Sequence, residues 1–539
     1  MNRRANDIPV LGSIPGEPRT QALVGLLLLT IVGAALRVVS LGDSLFGDEL
    51  STFFDIHRNS LGESLDFVVS PQEATPPLHF LLVWVAARFG ESPEVLRLPS
   101  LAAGIAVIPL TYMLGTRFAS RGPALVGAAL VALSPGLIFY STELRGYELE
   151  TALVLGSTVT LLSALRASSI PLWVLYAILV ALSMYTHYTA IFVLAAQSIW
   201  ALIAFPRQRK ALMLSLAGAV VLFIPWIPSF LDDRSAPGAL LTDALAPFGG
   251  MQVIVTWVHW AFSYLSVEVE QVPGIPALVA ILLGILVGLV GSRSLLTRRP
   301  SSLTVGLIVV AAAAPLGIAV YSAFGPSLLM SRNLLPSWPA FAVLIGLVVW
   351  SARSWFRPLA VALVIAGMAV GAARSISSDN RRPDYRSVVE FIDRYGEPGD
   401  PVVDLPFAAS AYLQGLEVEM LRSREGGLEG ARVLRIGAPS IEELKKSKQP
   451  PGAVLFARLP NPQKVASEAA RISNGRLFLV INLGVEADQL GDQGTPSSEQ
   501  VRKFLSALPE GYRVVRYEVF DGVGSSSPGV YEIALPPGN

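Results

Sequence analysis

Leu45-Phe46-Gly47-Asp48-Glu49-Leu50-Ser51-Thr52 places two adjacent carboxylates just after the first long apolar run, Gln21 to Leu41. A charged pair at the mouth of a membrane helix is expensive to keep unless it has a task. Acidic residues also serve simply to solvate a helix end and to complement its dipole. The functional reading makes Asp48 and Glu49 the floor of an active site on the outer face of a membrane, with the remaining chain as its housing.

Composition supports a membrane housing. Of 539 residues, 52% are hydrophobic and 15% charged, and the mean hydropathy is +0.54. Soluble domains carry about 25% charged residues, so this chain belongs in a lipid bilayer. The formal net charge is zero, which gives no global field for nucleic acid, and none is expected as a partner. With no cysteine, disulfides, thiolate metal sites and cysteine nucleophiles are excluded.

Residues 1–20 form a polar tail with Arg3, Arg4 and Arg19. The first apolar run is too long for a signal-peptide core and is read as a retained span. Further runs of spanning length fall near 95–116, 122–140, 147–165, 171–186, 188–205, 211–230, 274–292, 302–323, 333–351 and 358–374. That predicts about eleven transmembrane helices of roughly 20 residues each. Pro77–Phe89 is apolar but too short to cross, and reads as an interfacial helix lying on the bilayer.

Orientation follows from the basic loops. One set holds Arg117, Arg121, Arg166, Arg207, Arg209, Lys210, Arg293, Arg298, Arg299, Arg353 and Arg357; the other holds mainly Arg58, Arg88, Arg145, Arg234 and Arg332. This puts the N-terminus in the cytoplasm and Asp48 outside a plasma (inner) membrane. The membrane domain is read as 21–375, with its first outer loop at 42–94. From 376 to 539 charge, Gly and Pro rise, and strand-length runs (Pro401–Leu405, Arg432–Ile436, Ala453–Phe456, Leu477–Leu483, Val514–Val519, Val530–Leu535) alternate with helix-like stretches at Tyr385–Tyr395, Ile441–Ser447 and Ser498–Leu508. Such alternation predicts an α/β domain, here extracytoplasmic.

Beyond Asp48-Glu49, outward clusters occur at Gln72–His79, Tyr140–Tyr147, Thr186–Thr189 and Ser331–Pro336. Arg145 and Arg332 have an alternative reading as snorkelling anchors, and Tyr140, Tyr147 and Tyr188 as an aromatic belt. Together they gather carboxylates and guanidiniums on one membrane face. That suits a base activating a hydroxyl while a cation receives a departing phosphate.

The order Asp48-Glu49, Glu73-x-x-Pro76-Pro77, Glu143-x-Arg145-x-Tyr147, His187-Tyr188-Thr189 and Arg332-x-Leu334-x-Pro336 resembles bacterial GT-C glycosyltransferases. The branch it resembles is that of protein O-mannosyltransferases and lipid A aminoarabinose transferase (glycosyltransferase family 39 type). The resemblance covers roughly residues 20–400, including Asp384-Tyr385-Arg386 and Pro398-Gly399-Asp400. It implies a polyprenyl-phosphate-linked sugar donor, an inverting attack by a glycan, lipid or protein hydroxyl, and Asp48 as general base. Arg145 is then the phosphate ligand, since a guanidinium binds phosphate through two hydrogen bonds. Glu49, Glu73, His79, Glu143, Tyr147, His187, Tyr188 and Arg332 are expected to bind substrate. The resemblance assigns no cofactor, and Asp48, Glu49 and Glu143 have the oxygen ligands for a divalent metal. Two departures stand out: Glu73-Ala74-Thr75-Pro76-Pro77 lacks the lysine of the aminoarabinose type, and Arg332-Asn333 replaces the Arg-Tyr of many relatives. A transporter or flippase of a lipid-linked glycan is the competing class; it would show repeat symmetry and midplane charges, which this sequence lacks.

Overall fold

The computed structural model describes residues 19–56, 60–69, 73, 75–233, 248–263, 274–292, 301–377, 382–397, 400–404, 433–434, 466–467, 469–471, 473–483, 499–520 and 527–536. The chain divides into two compact units. One comprises Met1–Leu41, Arg58–Ser266 and Gln271–Ile376; the other comprises Gly42–His57, Val267–Glu270 and Ser377–Asn539. Gly42–His57, the first part of the expected first outer loop, therefore belongs with the C-terminal unit.

In chain order the first helices are α1 (Arg19–Val38), α2 (Asp48–Ile56), α3 (Leu61–Val69), α4 (Leu78–Ala86), α5 (Pro93–Leu96), α6 (Leu98–Phe118), α7 (Arg121–Ala132), α8 (Pro135–Ser141), α9 (Tyr147–Ala167), α10 (Ile170–Thr186) and α11 (Ala190–Ala204). The membrane unit continues through helices at Arg209–Phe223, Ile227–Asp233, Gly250–Ala261, Ile275–Gly291, Ser302–Phe324, Trp338–Trp350 and Arg357–Ser375. Among the described residues seven stretches are long and apolar enough to cross a membrane, or eight if the bent pair α7–α8 is one span. Three more apolar helices, α10, α11 and Ile275–Gly291, have 17, 15 and 17 residues. They fall on the remaining three of the eleven expected spans, but are shorter than the length of about 20 residues that a bilayer asks for.

The unit turns its aliphatic side chains outward as well as inward. Leu27, Ile31, Leu214 and Val290 are 59%, 55%, 64% and 73% exposed, which is the surface of a helix bathed in lipid. Its interior is a continuous apolar core from α6, α7, α9, α10 and α11 to Trp338–Trp350. Some polar groups inside are paired across helices: Gln197 accepts from Thr158 (2.7 Å) and donates to Ser157 (3.0 Å). Helices without a hydrophobic drive between them are held by such bonds and by close packing. α4 starts after Pro77 and packs on α6, α10 and α3; its nine residues are too few to cross, as expected of an interfacial helix.

The C-terminal unit carries a five-stranded sheet of order β2-β1-β3-β5-β4, with β1 (Val402–Asp404), β2 (Val433–Leu434), β3 (Arg476–Leu483), β4 (Arg513–Val519) and β5 (Ser527–Ala534). β1 runs parallel to β2 and β3, while β5 is antiparallel to β3 and β4. Leu477, Leu479, Ile481, Tyr531 and Ile533 form its core with Phe504 and Leu508 from the helical segment beginning at Glu499. The expected strands at 401–405, 477–483, 514–519 and 530–535 coincide with β1, β3, β4 and β5, and β2 lies within 432–436. The strand expected at 453–456, the helix at 441–447 and residues 1–18 lie outside the described residues, as do Arg58, Arg234, Arg293, Arg298 and Arg299.

Candidate active site

In the membrane unit the site is built on a broken helix. α7 and α8 meet at 58°, and the break leaves the carbonyls at the end of α7 without helical donors. Arg37, fully buried in α1, reaches two of them: its Nη1 donates to Ala132 O (3.2 Å) and its Nη2 to Val131 O (3.3 Å), while Nη1 also donates to Gly33 O of its own helix (2.9 Å). Its Nε donates to Ser141 Oγ (2.9 Å) at the end of α8. The packing there is tight, because a Cβ on Gly104 would collide with Ser141 Oγ. Arg37 thus fixes the turn between α8 and α9, which carries Glu143 and Arg145. An arginine inside an apolar run is a signal of this kind.

Arg145 is the centre of that turn. Nη1 and Nη2 donate to the two carboxylate oxygens of Glu73, each at 3.3 Å, and Nη2 also reaches Thr75 Oγ1 at 3.2 Å. The side chains are 12% and 7% accessible. Beneath it, Ser100 Oγ donates to Arg145 O (3.1 Å) and lies 3.1 Å from His79 Nε2. Since the serine hydrogen goes to the carbonyl, His79 donates from Nε2. Burial, with the Arg145 charge adding to it, pushes the His79 imidazole down to about 3, so the ring is neutral. His79, expected to bind substrate, is 1% exposed and bonds to Ser100, whose hydroxyl holds the Arg145 carbonyl. An apolar segment that lies along the membrane buries one side, and the sequence alone does not say which.

Around Arg145, Tyr140 stacks edge-on with Tyr147 (5.5 Å), and Tyr147 packs on His187 (5.5 Å). The Arg332 guanidinium lies 5.4 Å from the Tyr147 ring. Glu143 is 5% exposed. His187 Nδ1 is 2.6 Å from Thr189 Oγ1, and that hydroxyl is 2.8 Å from Glu150 Oε1. Burial, then the charges of Arg145 and Arg332, push His187 down to about 3. The structure therefore brings together Glu73, Glu143, Arg145, Tyr147, His187 and Arg332. The Tyr188 hydroxyl instead donates to Asp233 and accepts from Trp226 Nε1 (2.9 Å). Asn333, where many relatives have tyrosine, donates its amide to Leu328 O (2.9 Å) and closes the turn that presents Arg332. Glu150, Asp233, Arg37 and Arg97 escaped the sequence reading.

The C-terminal unit holds the carboxylate pair. Gly47, at φ +55°, makes a left-handed turn that a side chain would strain, and α2 starts at the next residue. Asp48 is exposed while Glu49 is fully buried. Glu49 Oε2 accepts from Phe46 N (3.3 Å) and lies 3.6 Å from Arg382 Nε; Arg382 also stacks over Phe46 at 5.7 Å. Glu49, expected to bind sugar, is thus committed to the loop. Of the other residues that carried the resemblance, Asp384 caps the helix Tyr385–Tyr395 by accepting from Ser387 N (3.1 Å). Asp400 accepts from Arg476 Nε at 2.7 Å, at the start of β3. Among the described residues no three His, Asp or Glu form a group that could hold a metal ion.

Residues 74–229 match the family described as dolichyl-phosphate-mannose-protein mannosyltransferase. No curated protein matches the sequence. The crystal structure of ArnT from Cupriavidus metallidurans in the apo state aligns with a TM-score of 0.55 at 12% identity, covering 95% of this chain and 98% of that one. The same enzyme bound to undecaprenyl phosphate aligns at 0.54 and 12%, covering 96% and 98%. The apo oligosaccharyltransferase of Archaeoglobus fulgidus aligns at 0.48 and 13%, covering 87% and 70%. The family and these structures are glycosyltransferases, as the sequence led one to expect. The chain thus has the fold of the GT-C glycosyltransferases, and its residues 74–229 carry the sequence pattern of their dolichyl-phosphate-mannose-protein mannosyltransferase family.

Proposed function

We propose that this protein transfers a sugar from a polyprenyl-phosphate-linked donor to a hydroxyl of an extracytoplasmic acceptor, with inversion at the anomeric carbon. Asp48 removes the proton as the acceptor oxygen bonds to that carbon. The bond from the carbon to the phosphate oxygen breaks, and its electron pair leaves with the phosphate. Arg145, with Arg332, holds the charge that develops there. Asp48 suits a base because it is exposed beside a glutamate whose carboxylate is already engaged.

The observation that carries the reading is the Arg145 fork. It is nearly buried in a membrane unit and bound bidentately to a carboxylate, and a phosphate can take that carboxylate's place with the same geometry. The undecaprenyl phosphate in ArnT and the dolichyl-phosphate-mannose of the matched family agree with such a donor. Neutral His79 and His187 add no charge of their own. Glycan, lipid and protein are all acceptors compatible with this chemistry.

The test is transfer from undecaprenyl-phosphate-linked sugars by the purified protein, followed by mass spectrometry of the product. Sugar transfer that depends on the phospholipid donor supports the reading; transport of the intact lipid without cleavage would replace it with the flippase. Reporter fusions at Gly396 and Gln208 should fall on opposite sides of the membrane; the same side for both would overturn the orientation.

A further inference from the structure

Glu150, Thr189 and His187 form a chain with one sealed end and one open end. Glu150 is fully buried on the first turn of α9, and the His187 side chain is 19% accessible. Between them the Thr189 hydroxyl lies 2.8 Å from Glu150 Oε1 and 2.6 Å from His187 Nδ1. The second oxygen, Glu150 Oε2, has no hydrogen-bond partner and lies 3.7 Å from Nδ1. A hydroxyl has one hydrogen to give, so the chain has two proton arrangements, and only the second keeps the bond that Thr189 N donates to Nδ1 at 3.4 Å. With Glu150 ionised, Thr189 donates to it, accepts from Nδ1–H, and leaves a lone pair on Nε2. With Glu150 protonated at Oε1, it donates to Thr189, Thr189 donates to Nδ1, and Nε2 carries the hydrogen. Moving from the second to the first releases one proton at Nε2 while each hydrogen behind it moves one bond along the chain, and the imidazole begins and ends neutral.

Neutrality matters at this place. The charged and titratable groups around the ring are Glu150 and Tyr147 from α9, Arg145 from the turn before it, and Arg332 from the turn at Ser331–Ser337. An imidazolium facing two guanidiniums is disfavoured, whereas an Nε2–H aimed at an anion held by them is not.

We propose that Glu150, Thr189 and His187 are a proton relay that opens on the donor's phosphate, a deepening of the reading above that rests on it. As the sugar leaves, the phosphodiester monoanion becomes a monoester with a second negative charge. Its oxygen takes the proton from Nε2, Nδ1 takes the Thr189 hydrogen, and Thr189 takes the proton of Glu150. Glu150 ends as a carboxylate and the lipid leaves as a singly protonated monoester. His187 contacts the phosphate; Thr189 and Glu150 act through it.

The relay is read out by the phosphorus-31 resonance of undecaprenyl phosphate bound to the detergent-solubilised protein, followed against pH. This needs no knowledge of the sugar. Phosphate monoesters lose their second proton near pH 6, and a relay that shares its proton raises that midpoint. Thr189→Val keeps the shape and removes the hydroxyl; its bound phosphate should titrate about one pH unit lower than in wild type, a roughly tenfold change in proton affinity. Thr189→Ser should restore the wild-type curve. Identical titration in wild type and Thr189→Val, with binding still lost in Arg145→Ala, would overturn the relay and leave the phosphate site standing. A resonance unchanged from free lipid in the wild type would instead remove the phosphate site, and the relay with it.

Discussion

Among the described residues each unit contains a nearly buried pair of glutamate and arginine, and the two pairs differ in a way that separates structure from function. Glu49 and Arg382 are sealed, with side chains 0% and 1% accessible, and Glu49 Oε2 lies 3.6 Å from Arg382 Nε. Glu73 and Arg145 are 7% and 12% accessible and meet through two contacts of 3.3 Å, with Thr75 as a third partner. A sealed pair cannot exchange partners, so its removal is felt in folding. A pair at an accessible edge, formed with the fork that also fits phosphate, can trade its carboxylate for a ligand. Adjacent acids obey the same rule: Asp48 is exposed and Glu49 enclosed.

The sharpest way to break this contrast is Arg382→Ala, which leaves the Glu49 carboxylate buried without its arginine. It should destabilise the C-terminal unit by about 3–5 kcal/mol, seen as a lower melting transition and faster proteolysis; an unshifted transition would unseat the structural role. Arg145→Ala comes next. Loss of a bidentate charged contact should weaken undecaprenyl phosphate binding by about 2–5 kcal/mol while the melting transition stays near that of the wild type. Unchanged lipid affinity would move the phosphate site towards Arg332. Gly104→Ala forces a methyl group against Ser141 and the Arg37 side chain, and should lower stability by about 1–3 kcal/mol; a neutral result would mean that the α8–α9 turn does not depend on Arg37. The smallest effect belongs to Arg145→Lys. A point charge replaces a fork, so lipid binding should recover to within about 1–2 kcal/mol of wild type; recovery no better than with alanine would mean that geometry alone counts.

How much of this was legible in sequence differs by scale. Each of the eleven apolar runs coincides with a helix or the bent α7–α8 pair, because lipid demands long stretches without charge. Crossing number was less legible: α10, α11 and Ile275–Gly291 are 17 residues or fewer, and hydropathy cannot tell a short span from one that ends early. β1, β3, β4 and β5 were visible as apolar runs of strand length. Partners were not visible. Arg37 bonds to Val131, Ala132 and Ser141, about a hundred positions away, and appears in sequence only as one arginine in an apolar run. Glu150 finds its role through Thr189 on another helix. The Glu73-Arg145 and Asp48-Glu49 motifs named the right neighbourhood, but not which carboxylate is enclosed, since Glu49 meets Arg382, a residue that no linear pattern joins to it.

The central claim is that Asp48 does the chemistry and Arg145 holds the lipid. It is tested most directly by comparing Asp48→Asn with wild type at matched protein levels, measuring undecaprenyl phosphate binding and sugar transfer on the same preparations. Asparagine keeps the shape of aspartate but cannot accept the acceptor's proton. Loss of a positioned general base costs about 10²–10⁴ in rate, so the variant should bind the lipid as wild type does and transfer sugar at least a hundredfold more slowly. Near-wild-type turnover by Asp48→Asn would contradict the account, and so would a loss of turnover explained entirely by lost lipid binding.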